Sequence, residues 1–150
     1  MSRSTRSTRS VQHHYQFPYV SLHGKSYPLI PLSLKKGNRQ VNTFALLDSG
    51  ASISVFRPEI AKALGIRIKE QRLIRLGTAN GGVNIGLAEV QIKIEHTAFK
   101  AEIGFSDTYA ANFNIIGREG FFHRFSICFN EVMKTVVLVP LRRLRSLRTS

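Results

Sequence analysis

The sequence predicts an all-β fold with a few short helices. Short apolar segments are separated by glycine, proline and asparagine, and residues 83–94 alternate between apolar and polar side chains. A period of two is typical of a strand with one buried face, and Gly-rich punctuation favours a barrel or sandwich. At 150 residues, the chain is long enough to form about one domain.

The individual elements can be assigned in chain order. The predicted strands cover residues 26–34, 39–47, 52–56, 72–76, 83–94, 99–105 and 113–116, and a terminal hairpin follows at 126–129 and 134–139. Pro58 suits the first position of a helix of about two turns, for which Gly65 provides the end. Residues 119–125 are typical of a second short helix.

The basic charge is concentrated at the two ends of the chain. There are 22 lysine and arginine residues against 9 acidic ones, a net charge of +13, and seven of the basic residues lie in segments 1–10 and 140–150. Residues 2–10 contain no apolar side chain and cannot bury a core. We therefore expect a disordered basic N-terminal tail and linker (1–25), a folded domain (26–139) and a basic C-terminal tail (140–150).

These tails have more than one interpretation. The N-terminal tail suits a solubilising segment, an arm that touches RNA, or an organelle transit peptide. The C-terminal tail places leucines at 141, 144 and 147 on one side of a short helix, which suits a frayed tail or contact with acidic partners or a membrane surface. We expect a cytoplasmic protein, with organelle targeting by the Arg/Ser-rich N terminus as the alternative.

Several classes of protein are excluded by composition. No apolar run approaches the roughly 20 residues that a membrane-spanning helix needs. Cys128 is the only cysteine, which excludes a disulfide scaffold and a thiolate zinc site within one chain, and we expect it in the core. The five histidines do not form a metal-binding spacing, and no phosphate-binding loop is present, so no metal or cofactor is expected.

The most informative motif follows the apolar segment 44–47. Asp48, Ser49 and Gly50 follow that segment directly. A carboxylate is costly to bury without partners, and glycine lets the backbone approach a ligand closely. Taken alone, the three residues also suit a purely structural Asx turn.

The wider context resembles a known family. Asp48–Ser52, preceded by two apolar residues, resembles the active-site turn of the aspartic proteases. The segment Asn114–Arg118 (Asn-Ile-Ile-Gly-Arg) resembles the strand that passes beside that turn in the retroviral subclass. The glycine-rich hairpin 72–94 lies between them, where a retropepsin has its flap. Over residues 27–138 the chain is thus similar to the retropepsins, which implies a single-lobed acid-protease barrel.

The resemblance implies an aspartic endopeptidase that works without a cofactor on an extended peptide. The implied catalytic residues are Asp48, Ser49 and Gly50; the implied substrate-binding residues are Ala51, Ser52, Thr78, Ala79, Asn80, Gly81 and Gly82; and the implied supporting residues are Ile115, Ile116, Gly117 and Arg118. Two carboxylates must share such a site, and the other aspartate, Asp107, lies in a predicted surface loop. The second carboxylate must then come from Asp48 of another copy, which makes a homodimer.

One residue departs from the retroviral pattern. In the relatives, the arginine that matches Arg118 pairs with an aspartate, but Ser52 occupies that position here. Glu119 or a carboxylate of the other subunit is then the expected partner. Two other functions remain as alternatives: an inactive module of this fold that dimerises or binds peptides, and a basic nucleic-acid-binding barrel. The second lacks the alternating basic and aromatic residues that stack on bases.

Overall fold

The computed structural model describes residues 13–78 and 81–141. It confirms the all-β prediction, since strands account for most of the described chain. The strands are β1 (Tyr15–Pro18), β2 (Val20–Leu22), β3 (Lys25–Tyr27), β4 (Leu29–Lys36), β5 (Arg39–Leu47), β6 (Val55–Phe56), β7 (Arg72–Thr78), β8 (Gly81–Ile94), β9 (Thr97–Phe105), β10 (Asn114–Ile116), β11 (Phe125–Asn130) and β12 (Thr135–Pro140). One helix, α1 (Pro58–Ala63), and two 3₁₀ turns (Ile68–Glu70 and Phe122–Arg124) complete the described elements.

The main sheet has seven strands in the order β4-β5-β10-β6-β9-β8-β7. β8 also pairs with β4, so the sheet closes back on itself around the core. In β8, Val90, Ile92 and Ile94 are buried between exposed polar neighbours, as the alternation predicts. Pro58 does begin α1, and Gly65 follows its end with φ +71, a conformation that glycine adopts without strain.

The short strand β10 is inserted between β5 and β6. It runs parallel to β5, with Ile116 beside Leu47, and antiparallel to β6, with Ile115 beside Val55. Its first residue, Asn114, is buried and joins three elements through its side chain. The amide nitrogen donates to Thr43 Oγ1 (3.1 Å) and Phe44 O (2.9 Å), and the amide oxygen accepts from Arg57 N–H (2.9 Å).

The hairpin of β7 and β8 extends beyond the main sheet. β7 pairs only with the first half of β8, from Thr78 opposite Gly81 to Arg72 opposite Leu87, while the second half of β8 pairs with β9. Most of the described side chains in β7 and in the first residues of β8 are exposed or half-buried. The hairpin is therefore an arm whose stability depends mainly on its own cross-strand bonds.

A second sheet joins the two ends of the described chain, in the order β1-β12-β11. Our expectation that residues 1–25 form a disordered tail and linker is wrong for residues 15–22, which form β1 and β2. Phe17 explains the difference, since it is buried and stands opposite Val136 in the ladder. Similarly, Pro140 belongs to β12 rather than to a tail. Residues 1–12 and 142–150, which carry most of both predicted tails, lie outside the described part of the chain.

Two expectations for the region after β10 are also wrong. The predicted helix at 119–125 is reduced to the 3₁₀ turn Phe122–Arg124, because Gly120 has φ +76 and interrupts helical geometry. Cys128 is exposed rather than buried. In β11 the side chains alternate, so that Phe125 is buried and Ser126 and Cys128 face outward. Among the described residues, no helix has the length and apolarity needed to cross a bilayer.

The Asn114 amide gives a first test of the fold. We expect Asn114→Ala to lower the free energy of unfolding by several kcal/mol. It leaves the Arg57 N–H and the Phe44 carbonyl, two groups in part-buried bonds, without that partner, and an unsatisfied group costs about 1–3 kcal/mol when it is buried. Urea denaturation measures the change, and Asn112→Ala, an exposed asparagine two residues away, is the matched control. Equal stability of the two variants would contradict the proposed joining role.

A second test concerns alkaline stability. Burial, followed by the hydrogen bond to Glu131, raises the pKa of Tyr19 from 10.0 to about 12. Between these values the unfolded chain ionises the phenol and the folded chain does not. The contribution of the protonated Tyr19 phenol to the free energy of unfolding is therefore complete below pH 10 and is lost as the pH rises towards 12. We expect Tyr19→Phe to lose less stability than the parent between pH 10 and 12, measured by urea midpoints and referenced to pH 8. Parallel losses would contradict this assignment.

Candidate active site

Asp48 lies at the point where β5 ends and the chain turns away from β10. The Asp48 N–H donates to Ile116 O (3.0 Å), so that the parallel pairing of β5 and β10 continues to the aspartate itself. The carboxylate is half-buried, and its Oδ1 accepts the Gly50 N–H at 2.9 Å. The Ala51 N–H donates to Asp48 O (3.2 Å) and closes the turn. Two backbone bonds and one side-chain bond thus fix the position of the carboxylate.

Gly50 lies where the turn leaves little space for a side chain. A Cβ atom at position 50 would lie 3.1 Å from Asp48 Oδ1, against the oxygen that accepts the Gly50 N–H. Ser49 and Gly50 are both exposed. The turn therefore presents a carboxylate and an open stretch of backbone on the surface of the chain.

The residues after the turn are joined to the segment after β10. The Arg118 N–H donates to Ala51 O (2.9 Å), and the Glu119 N–H donates to Ser52 O (2.8 Å). The structure thus brings together the two motifs that the sequence analysis singled out, Asp48–Ser52 and Asn114–Arg118. They are joined directly by backbone hydrogen bonds, a local ladder that neither motif could form alone.

Gly117 is packed against the backbone of Ile53. A Cβ atom at position 117 would lie 2.5 Å from the carbonyl carbon of Ile53 and 2.6 Å from its oxygen. The Gly117 N–H donates to the buried hydroxyl of Ser54 (3.1 Å). Because the obstructing atoms belong to the backbone, no rotamer change can make space for a side chain. Only glycine allows the strand to pass at this distance.

The pKa of the Tyr109 phenol is affected by the charge of Asp48. Burial raises the pKa of the phenol above its usual range; the Asp48 charge adds to the rise, and the Arg57 charge partly offsets it. Its hydroxyl donates to Phe113 O (2.8 Å), which fixes the loop that leads into β10. The segment before Tyr109, at Ser106–Thr108, lines a cavity of about 410 Å³ shared with Leu73 and Val83 of the hairpin. The hairpin base and the aspartate thus flank the same loop.

The tip of the hairpin is only partly described. Thr78 ends β7, and Gly81 and Gly82 begin β8, opposite Thr78 and Gly77. Ala79 and Asn80, also assigned to substrate binding, lie outside the described residues. A larger cavity of about 590 Å³ lies elsewhere, between β2, β5 and α1, and Asp48 is not among its lining residues.

Arg118 is exposed, and its side chain forms none of the ion pairs found within residues 13–78 and 81–141. The expected pairing with Glu119 is therefore absent in the single chain; only the backbone of the two residues takes part in the contacts with Ala51 and Ser52. A carboxylate of another subunit stays a prediction for its partner. Asp107 is exposed in the loop after β9, as expected.

Asp48 is the one carboxylate that the described chain supplies at this turn. Over the same residues, no group of three or more histidine, cysteine, aspartate or glutamate side chains could hold a metal ion. Three residues of the site were not recognised from sequence: Ser54, Tyr109 and the side-chain role of Asn114. For Asn114, the available signal in the sequence was a polar residue at the start of an apolar strand. No local sequence pattern identifies Ser54 or Tyr109.

The chain is similar to known aspartic proteases in sequence and in fold. A family model described as "gag-polyprotein putative aspartyl protease" matches residues 36–117, which include the first motif, the hairpin and all of the second motif except Arg118. A retropepsin-like aspartic protease from Rickettsia conorii has a similar structure, with a TM-score of 0.60 at 18% identity over 84% of this chain and 91% of that one. The EIAV protease in complex with the inhibitor HBY-793 aligns with a TM-score of 0.49 at 22% identity, over 66% of this chain and 88% of its own. None of the curated proteins matches the chain.

A substitution at Gly117 tests whether folding needs the close approach of this residue to the Ile53 backbone. We expect Gly117→Ala to prevent stable folding, or to lower the melting temperature by well over 10 °C, because the added methyl group meets the Ile53 backbone at 2.5 Å. Gly77→Ala is the matched control, since a Cβ atom there has no neighbour within 4 Å. Thermal denaturation followed by circular dichroism distinguishes them. A Gly117→Ala protein with the stability of the control would show that this close approach is not needed.

Proposed function

The chain belongs to the retropepsin-like aspartic protease family, and from this membership we propose that it is an aspartic endopeptidase whose site is completed by a second copy. The observation that carries the proposal is the Asp48 turn, with its carboxylate held by Gly50 and its backbone joined to Ile116. Each chain contributes one such carboxylate. Peptide hydrolysis by this chemistry needs two, so the homodimer is part of the proposal.

The mechanism follows from two carboxylates in one site. When two Asp48 side chains lie close together, they share one proton, because two adjacent negative charges repel each other. The ionised carboxylate then removes a proton from a bound water, and the protonated one polarises the peptide carbonyl. Water attacks the carbonyl carbon, the carbon–nitrogen bond breaks, and the amine leaves with a proton. The Gly50 N–H at 2.9 Å supports the ionised form, since it donates to Oδ1.

We assign positioning of the second turn to Ser49 and backbone contact with the substrate to Gly50. Both residues are exposed beside the carboxylate, so their polar groups are accessible to another chain. The arm formed by β7 and β8 would cover an extended peptide, with Thr78, Ala79, Asn80, Gly81 and Gly82 at its tip. Recognition would then use backbone hydrogen bonds, with alternate side chains directed into pockets.

The proposal is tested by removing the charge of one aspartate at a time. We expect the parent protein to cleave a denatured protein or a peptide library between pH 3.5 and 7.5, and Asp48→Asn to lose at least about a thousandfold in rate. Asparagine keeps the size of the side chain and can neither share the proton nor act as the base. The matched control is Asp107→Asn, the exposed loop aspartate, which we expect to retain the parent rate. Mass spectrometry identifies the cleaved bonds.

The other outcomes have clear meanings. Equal loss of activity in both variants, with normal circular dichroism, would contradict the role of Asp48. A folded, dimeric parent protein that cleaves no substrate at any pH would identify an inactive module of this fold. A nucleic-acid shift that disappears without the arginine-rich ends would add a binding role of the tails, which stays a prediction.

A further inference from the structure

We propose that the two arginine-rich ends of the chain, residues 1–12 and 142–150, form one binding surface together with Arg124, and that this surface binds the phosphate backbone of a nucleic acid. The proposal goes beyond the protease function and does not depend on it. Both ends lie outside the described residues, so they contribute here only their sequence and the positions at which the described chain leads into them.

The described chain leads into both ends from the same side of the small sheet. β1 and β12 are antiparallel, with Tyr15 opposite Leu138, so the start of β1 lies beside the end of β12. The Leu141 N–H donates to Arg124 O (2.8 Å), one residue before β11 begins, so β11 also starts at this side. Neighbouring strands of a sheet are about 5 Å apart. The two arginine-rich ends therefore continue from adjacent strands.

The two ends carry seven arginines and no carboxylate. The seven are Arg3, Arg6, Arg9, Arg142, Arg143, Arg145 and Arg148. All nine acidic residues of the chain lie between Asp48 and Glu131, and the segments of β1, β11 and β12 contain no charged side chain. Glu131 lies at the opposite end of the β11–β12 hairpin, where it pairs with Lys134 (2.9 Å). A phosphate at the arginine-rich side of the sheet therefore meets no carboxylate from these three strands.

Arg124 adds a cation whose position is fixed by the fold. Its guanidinium lies over the Phe99 ring at 4.6 Å and donates to Gly120 O and Lys100 O, each at 3.4 Å. It takes part in none of the ion pairs formed within residues 13–78 and 81–141. Because a guanidinium has five N–H donors, donors remain for a phosphate oxygen. A group that is already ordered loses little conformational entropy when it binds.

The composition of the N-terminal end favours a nucleic acid over a membrane surface. Residues 2–10 contain only arginine, serine and threonine. Guanidinium and hydroxyl groups both donate to phosphate oxygens, and an arginine can do so through two parallel bonds. Binding to a bilayer depends on buried apolar area as well as on charge. Regularly spaced leucines occur only in the C-terminal end, so a phosphate backbone is the ligand that suits both ends.

Binding of this kind depends on phosphate charge and not on base sequence. Each phosphate contact with a single strand lowers the slope of log K against log salt by about 0.7, and at about 0.1 M salt it contributes roughly fivefold to the affinity. Because the two ends continue from adjacent strands, one nucleic acid can contact both. The second contact is then intramolecular, which raises the affinity above that of either end alone.

The proposal is tested with a fluorescent oligouridine of about 8 nucleotides, a length within the range of single-strand binding sites. The complete chain carries Asp48→Asn in every protein, so that self-cleavage cannot remove either end. We expect one oligouridine to bind per chain in anisotropy titrations. We expect the slope of log K against log salt to be about −5 between roughly 50 and 200 mM salt, because seven arginines and Arg124 supply the contacts.

Two triple variants each remove three charges from one end. They are Arg3→Ser/Arg6→Ser/Arg9→Ser and Arg142→Ser/Arg143→Ser/Arg145→Ser. We expect each to raise the dissociation constant at least about tenfold and to make the salt slope shallower by about two, because three phosphate contacts are lost.

The matched control removes three charges from exposed residues outside the small sheet. It is Lys35→Ser/Lys62→Ser/Lys69→Ser, and none of these lysines belongs to an ion pair within the described chain. We expect the control to bind within about twofold of the parent. Equal losses in the control and in the end variants would overturn the proposal, because net charge alone would then account for the binding.

The stoichiometry tests whether the two ends act as one surface. Two oligouridines per parent chain, with one site of unchanged affinity left in each triple variant, would show independent ends and overturn the proposal. Arg124 is tested separately, with circular dichroism as the check of folding. We expect Arg124→Gln to raise the dissociation constant about fivefold and Arg124→Lys, which keeps the charge, to bind within about twofold of the parent. A folded Arg124→Gln protein with the parent affinity would overturn the part assigned to Arg124.

Vesicles of phosphatidylcholine with about 30% phosphatidylserine distinguish a membrane surface from a nucleic acid. We expect the oligouridine to bind more tightly than the vesicles at the same concentration of phosphate groups. Sedimentation with the vesicles that requires the arginines, without binding of the oligouridine, would identify a bilayer as the partner and overturn the proposal. All of these measurements use protein without the Asp48 carboxylate, so their outcome is independent of whether the parent chain is a protease.

Discussion

The close passage of β10 beside the Asp48 turn is the contact on which the rest of the site depends. Gly117 lies against the backbone of Ile53, where a Cβ atom would be 2.5 Å from the carbonyl carbon. At the other end of the strand, the buried Asn114 amide joins β5 to the chain before α1. Between these two points, the Asp48 N–H bonds to Ile116 O. The aspartate is therefore positioned by backbone atoms, which cannot change rotamer.

This rigidity contrasts with the exposed arm of β7 and β8. The arm has few buried side chains near its tip, so its position relative to Asp48 is governed by cross-strand bonds and by the loop at Ser106–Thr108. In the proposed function, weak packing of the arm suits an extended peptide substrate, because the arm must open for the substrate to enter. Tyr109, whose pKa is raised in part by the Asp48 charge, donates to Phe113 O and so fixes the loop that leads into β10.

The charged residues behind the net charge of +13 contribute little to the stability of the described fold. Five of the nine carboxylates form exposed ion pairs within the described chain, and such pairs contribute little to stability.

The sequence by itself determined the all-β class, the Asp48 turn, the Asn114–Arg118 strand and α1, because each depends on local patterns such as alternation, an Asp-Ser-Gly triplet or a Pro/Gly pair. The tertiary structure decided the rest. It paired residues 15–18 with β12, turned Cys128 outward, and gave Ser54 and Tyr109 their contacts. The pairing of residues 15–18 with β12 and the bond from Gly117 to Ser54 join positions more than 60 residues apart, and local propensity carries no information about such pairings. For the same reason, only the ladder register shows that, within residues 13–78 and 81–141, β12 is paired on both sides and β11 on one.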